Sequence, residues 1–151
     1  MKKVIYISSS IILIVLALVL CSCCQKAISK NENSSSSKMV LHIENGDNSK
    51  TFEMSSLEIE NKTLIEILDY KNISYELGGD SGVFESIDSL ESDVSQFKYV
   101  TIFTNIEKDQ ANSATTLVKN YNGNVVKEIA VDVNKLTINT NTILYISLEA
   151  R

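Results

Sequence analysis

The 151-residue chain contains no proline, no tryptophan and a single histidine, and its three cysteines all fall within positions 21–24. With no cysteine after Cys24, no Cys–His pair can arise in the rest of the chain. A structural zinc site is disfavoured too, because such sites need paired ligands at set spacings on a folded scaffold. Positive charge is also scarce. Apart from Lys2 and Lys3 the chain carries 12 basic side chains against 19 acidic ones, a net −7. An acidic surface repels phosphate backbones and gains nothing from counterion release, so nucleic acid is not an expected partner. The length suits one domain plus a leader. A domain of that size buries a core without covalent staples.

The leader sets the expected compartment. Lys2 and Lys3 precede a charge-free stretch from Val4 to Gln25 whose densest part is the apolar run 11–20. A basic n-region before a short apolar h-region is the plan of a secretory signal. The lysines stay inside and the remainder crosses. An uncleaved anchor is the alternative, since about 20 apolar residues span a bilayer. The segment Leu20-Cys21-Ser22-Cys23 resembles a bacterial lipobox, and the Asn, Lys, Ile and Ser bias suits an AT-rich bacterial genome. The resemblance implies cleavage after Ser22, a signal peptide over 1–22 and lipidation of Cys23, with Cys24 offering a second register. The polar stretch 23–38, centred on Ser34-Ser35-Ser36-Ser37, is expected to be a flexible tether to the membrane surface.

From Met39 the pattern becomes periodic. Met39, Leu41 and Ile43 alternate with Val40, His42 and Glu44, which predicts a strand. Asn45-Gly46-Asp47 supplies a turn, and 51–59 is the expected second arm of the hairpin. Thr63 and Glu66 form a capping box ahead of the apolar stripe Leu64, Ile65, Ile67 and Leu68, predicting one short helix that ends near Lys71. Gly78-Gly79 breaks the extended piece after it. Strands are expected over 83–87 and 97–105. A second hairpin is expected with arms 115–121 and 125–133 around Asn122-Gly123-Asn124. The apolar run 143–148 is expected to lie centrally. Hairpin, helix, further strands and an apolar last strand make an α+β chain with a β-grasp-like mixed sheet.

Three stretches then resemble the bacterial domain of unknown function DUF4430, a β-grasp-like module related in fold to the C-terminal domain of transcobalamin. Lys62 to Leu68 is similar to its helix start, Gly82 to Leu90 to its Gly-x-Phe/Tyr strand, and Tyr99 to Asn105 to its aromatic strand and turn. The terminal stretch 136–148 is similar to its closing segment. Ser89, Val100 and Ile106 depart from the family's Gly, Trp and Gly, and Asn139-Thr140-Asn141 replaces its Asp-Gly turn. Over 39–151 the resemblance implies this fold, a surface lipoprotein context and a corrinoid-like or other vitamin-like ligand.

Few residues point to chemistry. His42 is the only candidate imidazole base, and no nucleophile motif surrounds it. Asp80, Glu85, Asp88, Glu91 and Asp93 gather oxygen ligands of the type calcium takes, but at no EF-hand spacing, so a solvated acidic face is the simpler reading. Tyr75, Phe84, Phe97, Tyr99, Phe103, Tyr121 and Tyr145 alternate as sheet-core residues. Among them Tyr75, Tyr99 and Tyr121 are the candidate ligand-contacting tyrosines. The expectation is a non-enzymatic, membrane-anchored module without cofactor or metal that binds a small molecule. The alternative is a surface protein that contacts another protein through a sheet edge or face.

Overall fold

The computed structural model describes residues 37–79 and 82–151. The expected signal peptide, Cys23, nearly all of the tether and Asp80 lie outside them. The described chain is α+β. Its larger sheet has the strand order β2-β1-β9-β6-β8-β7, and a smaller one has the order β3-β4-β5. The strands of the larger sheet are β1 Met39–Ile43, β2 Lys50–Met54, β6 Lys98–Thr104, β7 Val118–Tyr121, β8 Asn124–Glu128 and β9 Ile143–Ala150. Those of the smaller sheet are β3 Tyr75–Gly78, β4 Val83–Ile87 and β5 Leu90–Glu91. The last strand, β9, runs parallel to β1 and antiparallel to β6. This is a β-grasp-like arrangement, with the first hairpin on one side of the central strand and the later strands on the other.

Alternation decides which face of the larger sheet is buried. Met39, Leu41 and Ile43 of β1, Val100 and Ile102 of β6, and Leu144 and Ile146 of β9 all point into the main core. Helix α2, Leu64–Tyr70, lays Leu64, Ile67 and Leu68 onto that face, and the smaller sheet adds Phe84, Ile87 and Leu90. Thr63 caps α2 as its sequence predicts, with Glu66 N–H donating to Thr63 Oγ1 and Thr63 N–H to the Glu66 carboxylate. The Thr63 N–H, and after it the Thr63 hydroxyl, which also donates to the carboxylate, hold the Glu66 carboxyl below its ordinary pKa.

The structure corrects several expectations. β2 stops at Met54 rather than running to Ile59, because Ser55 and Glu58 form a second capping box that starts a helical turn, α1, Ser56–Ile59. The described residues thus hold two α-helices, and Leu57 is 82% exposed instead of facing the core. Glu58 also pairs with Lys71 at 2.8 Å. That pair, with the Ser55 N–H and hydroxyl, lowers the Glu58 pKa to about 2. Phe97 is 63% exposed rather than buried. Asp93 accepts from the N–H groups of Ser95 and Gln96, building a tight turn that ends with Phe97 at φ 55°. The arms of the second hairpin are shorter than predicted, and residues 129–133 leave the sheet.

The opposite face of the larger sheet carries a second, smaller core of Phe103, Val126 and Tyr145. The His42 ring on β1 lies 4.7 Å from that of Tyr121 on β7. Three strands separate β1 from β7, which in a flat sheet means about 19 Å at ordinary strand spacing. The β7–β8 hairpin therefore curls back across this face.

Candidate functional site

Two places could recognise a ligand: a cleft beside β6 where β8 leaves it, and the aromatic group beneath the curled hairpin.

The cleft follows from where β8 stops. β6 pairs with β9 along its whole length, from Lys98 to Thr104. With β8 it pairs only at Phe103 and Thr104. One further bond, Ile129 N–H to the Ile102 carbonyl at 3.0 Å, ends the contact. The 106–111 loop then captures the departing chain: Ala130 N–H donates to the Asp109 carbonyl at 2.8 Å, and Ala111 N–H to that of Glu128 at 2.7 Å. Asp109, only 4% exposed, anchors the loop by accepting the Thr137 N–H at 2.7 Å. At the far end Val133 N–H reaches the Gly82 carbonyl at 3.3 Å. Gly82 has φ +60°, and a Cβ there would sit 3.0 Å from Asp132 Cβ, so this close approach requires glycine.

Between these two pins lies a half-open cleft of about 490 Å³. Apolar lining comes from Val83 and Phe84 of β4, Val100 and Ile102 of β6, and Val131 and Val133 of the departing segment. Tyr99, Glu128, Asp132 and Arg151 add polar groups. Arg151 pairs with Glu128, and Asp132 with Lys135 at 2.7 Å. Val100 N–H, on the flank β8 has left, donates instead to Ser92 Oγ at 3.0 Å.

Under the hairpin, His42 contacts Tyr121 and, at 5.2 Å, Tyr145, while its Nδ1 lies 2.8 Å from Thr51 Oγ1. Burial lowers the His42 pKa, and the Glu44 carboxylate opposes this. Burial, then the Glu44 carboxylate, pushes the Tyr145 phenol up, so it keeps its proton. Lys119 pairs with Glu149 at 2.7 Å beside the Phe103 and Tyr145 rings. The hydroxyl facing His42 is thus that of Thr51, and its ring neighbours are two tyrosines.

The three candidate tyrosines are not brought to one place. Tyr99 lines the cleft. Tyr75 packs edge-on against Phe84 at 5.8 Å and donates its hydroxyl to Asp69. Tyr121 belongs to the other face. The described carboxylates of the acidic segment do not form one cluster: Asp88, which pairs with Lys50, shares a small pocket with Glu91, while Asp93 caps its turn and Glu85 lies against Gly78. Among the described residues no three His, Cys, Asp or Glu side chains converge to hold a metal. Sequence reasoning passed over Val131, Val133 and Arg151, because Ile129, Val131 and Val133 keep the period of a continuing strand.

No family model and no curated protein sequence matches the chain, so its resemblance to DUF4430 rests on the motifs alone. Among solved structures, it is similar to one described as a "putative metal binding protein" from Ruminococcus gnavus ATCC 29149, with a TM-score of 0.50 and 15% identity. The likeness covers 76% of this chain and 97% of that one, and at this identity it speaks for the fold alone.

Proposed function

We propose that the protein is a non-enzymatic extracytoplasmic lipoprotein, anchored through Cys23, whose β-grasp-like domain captures a small solute in the cleft between β6 and residues 129–133. The cleft itself carries this reading: about 490 Å³, apolar at its walls and polar at its rim, falls within the roughly 300–1,000 Å³ of small-molecule sites. Val100, where DUF4430 domains have tryptophan, lines this space. Among vitamin-like solutes the volume favours a compact ring over a whole corrinoid, which is far larger. The metal-binding description of the Ruminococcus gnavus protein brings no ligand set to this chain.

The lipobox-like Leu20-Cys21-Ser22-Cys23 supports the anchor, since diacylglycerol and an N-acyl chain together bind a bilayer stably at about 0.8 kcal/mol per buried methylene. Labelled palmitate should enter the wild-type protein and not Cys23→Ala. Retained label in that variant would move the anchor to Cys24, and no label in the wild-type protein would remove it.

A thermal-shift screen of the full-length protein against vitamins and related small solutes tests the capture itself. A ligand that binds only the folded state raises the melting temperature. Ala130→Trp, at an exposed position lining the cleft, should abolish that rise without lowering the melting temperature of the unliganded protein. A shift that survives in this variant would place the ligand elsewhere. A second reading, contact with another surface protein, draws on exposed Val94 and Phe97, which cap one tight turn. Under it, Phe97→Ala weakens partner capture and leaves solute binding unchanged.

A further inference from the structure

We infer that the cleft selects a neutral ligand: a compact, largely apolar molecule with an amide-like hydrogen-bonding edge and no formal charge. This rests on the reading of the cleft as a solute site and specifies what that solute must be.

The rim supplies the first reason. It carries Arg151, Glu128, Asp132 and, bound to Asp132, Lys135, and these four charges are already matched within the protein. A carboxylate that approached Arg151 would meet Glu128 beside it. Glu128 is held there, its side chain 16% exposed and accepting the Leu117 N–H as well. An ammonium that approached Asp132 would compete with Lys135. Either charged ligand gains a partner only by depriving another group of one.

Long-range electrostatics act in the same direction against anions. From residue 37 onward the chain has 10 basic and 18 acidic residues, so an anion approaches against the field of the whole domain.

The interior supplies the third reason. Val83, Phe84, Val100, Ile102, Val131 and Val133 offer no counter-ion, and a charge placed among them loses hydration without recompense. Besides Tyr99, the uncharged hydrogen-bonding groups that such a ligand can find are those of the main chain. β8 leaves β6 after Phe103 and Thr104, and past the bond from Ile129 N–H to the Ile102 carbonyl no main-chain bond joins Val100 to Val131, both of which line the cleft. Main-chain N–H and C=O groups match an amide or lactam edge, which presents one donor and one acceptor and is cheap to desolvate beside a carboxylate.

Nicotinamide, nicotinate and 3-(aminomethyl)pyridine share one ring and differ in charge, so they separate the alternatives. Binding to the full-length protein is followed by ligand-observed NMR. Nicotinamide is expected to bind, to be insensitive to added salt, and to lose binding in Ala130→Trp. The anion and the cation are expected to bind about tenfold or more weakly than the amide. Equal or tighter binding of nicotinate or the amine in the same cleft overturns the inference and leaves solute capture standing. If none of the three binds, the wider screen decides. Neutral hits alone sustain the inference, charged hits that Ala130→Trp abolishes overturn it, and no hit of any kind overturns both it and the proposed function.

Discussion

The two flanks of β6 differ more than any other pair of regions in the molecule. Toward β9 it is paired from Lys98 to Thr104, with Val100, Ile102, Leu144 and Ile146 packed in the main core beside the joined strands. Toward β8 it is paired at two residues, after which the neighbouring chain is drawn off by Asp109 and pinned again at Gly82. The sequence of β6 is equally strand-forming throughout, so the difference comes from its neighbours. A fully paired flank fills its space with side chains and main-chain bonds. A flank whose partner leaves early, and is held away at both ends, keeps room for something else.

That contrast can be broken most severely from the closed side. Leu144 is fully buried on β9, so Leu144→Ala should cost about 2–5 kcal/mol in chemical denaturation. On the open side, Gly82→Ala forces alanine into left-handed backbone and against Asp132, at a cost of about 1–2 kcal/mol. It should also weaken solute binding, since it disturbs the pin that closes the cleft. Ser92→Ala removes the hydroxyl that serves Val100 N–H where β8 has gone. It should cost about 1 kcal/mol, and amide exchange at Val100 should accelerate more than at Thr101.

The smallest expected effect concerns the curled hairpin. Because burial lowers the pKa of His42, the unfolded chain takes up the proton first as pH falls below 6.5. The stability that neutral His42 contributes is therefore complete above pH 6.5 and is lost as pH drops from there through the lower folded-state pKa. Hydrogen exchange should quicken in β7 and β8 over that window and not in β9, and His42→Phe should remove the dependence. At lower pH, Glu58 adds a separate loss. Its stabilisation is complete above its ordinary value of 4.5 and disappears as pH falls toward about 2.

Much of the fold was legible in the sequence because local and tertiary preferences agreed there. Met39, Leu41 and Ile43 alternate into the core, Thr63 and Glu66 cap the helix as read, and the apolar last strand lies centrally. Where they disagreed, the sequence misled. Phe52, Met54, Leu57 and Ile59 keep a passable strand alternation, which masked the Ser55–Glu58 capping box. Phe97 looked like the start of a strand and instead ends the turn that Asp93 builds. The cleft was the least legible feature. Residues 129–133 read as more strand, and only bonds to Asp109 and Gly82, distant along the chain, draw them out of the sheet. Of the tyrosines singled out as ligand contacts, only Tyr99 lines that space.

The most direct test of the cleft is the map of backbone amide shifts when a binding solute, nicotinamide first, is added to isotope-labelled protein. The changes should concentrate on both walls, at Val100 to Ile102 and at Ala130 to Val133. Changes concentrated instead at His42, Tyr121 and Tyr145, beneath the curled hairpin, would contradict the account and move the site to the opposite face of the sheet.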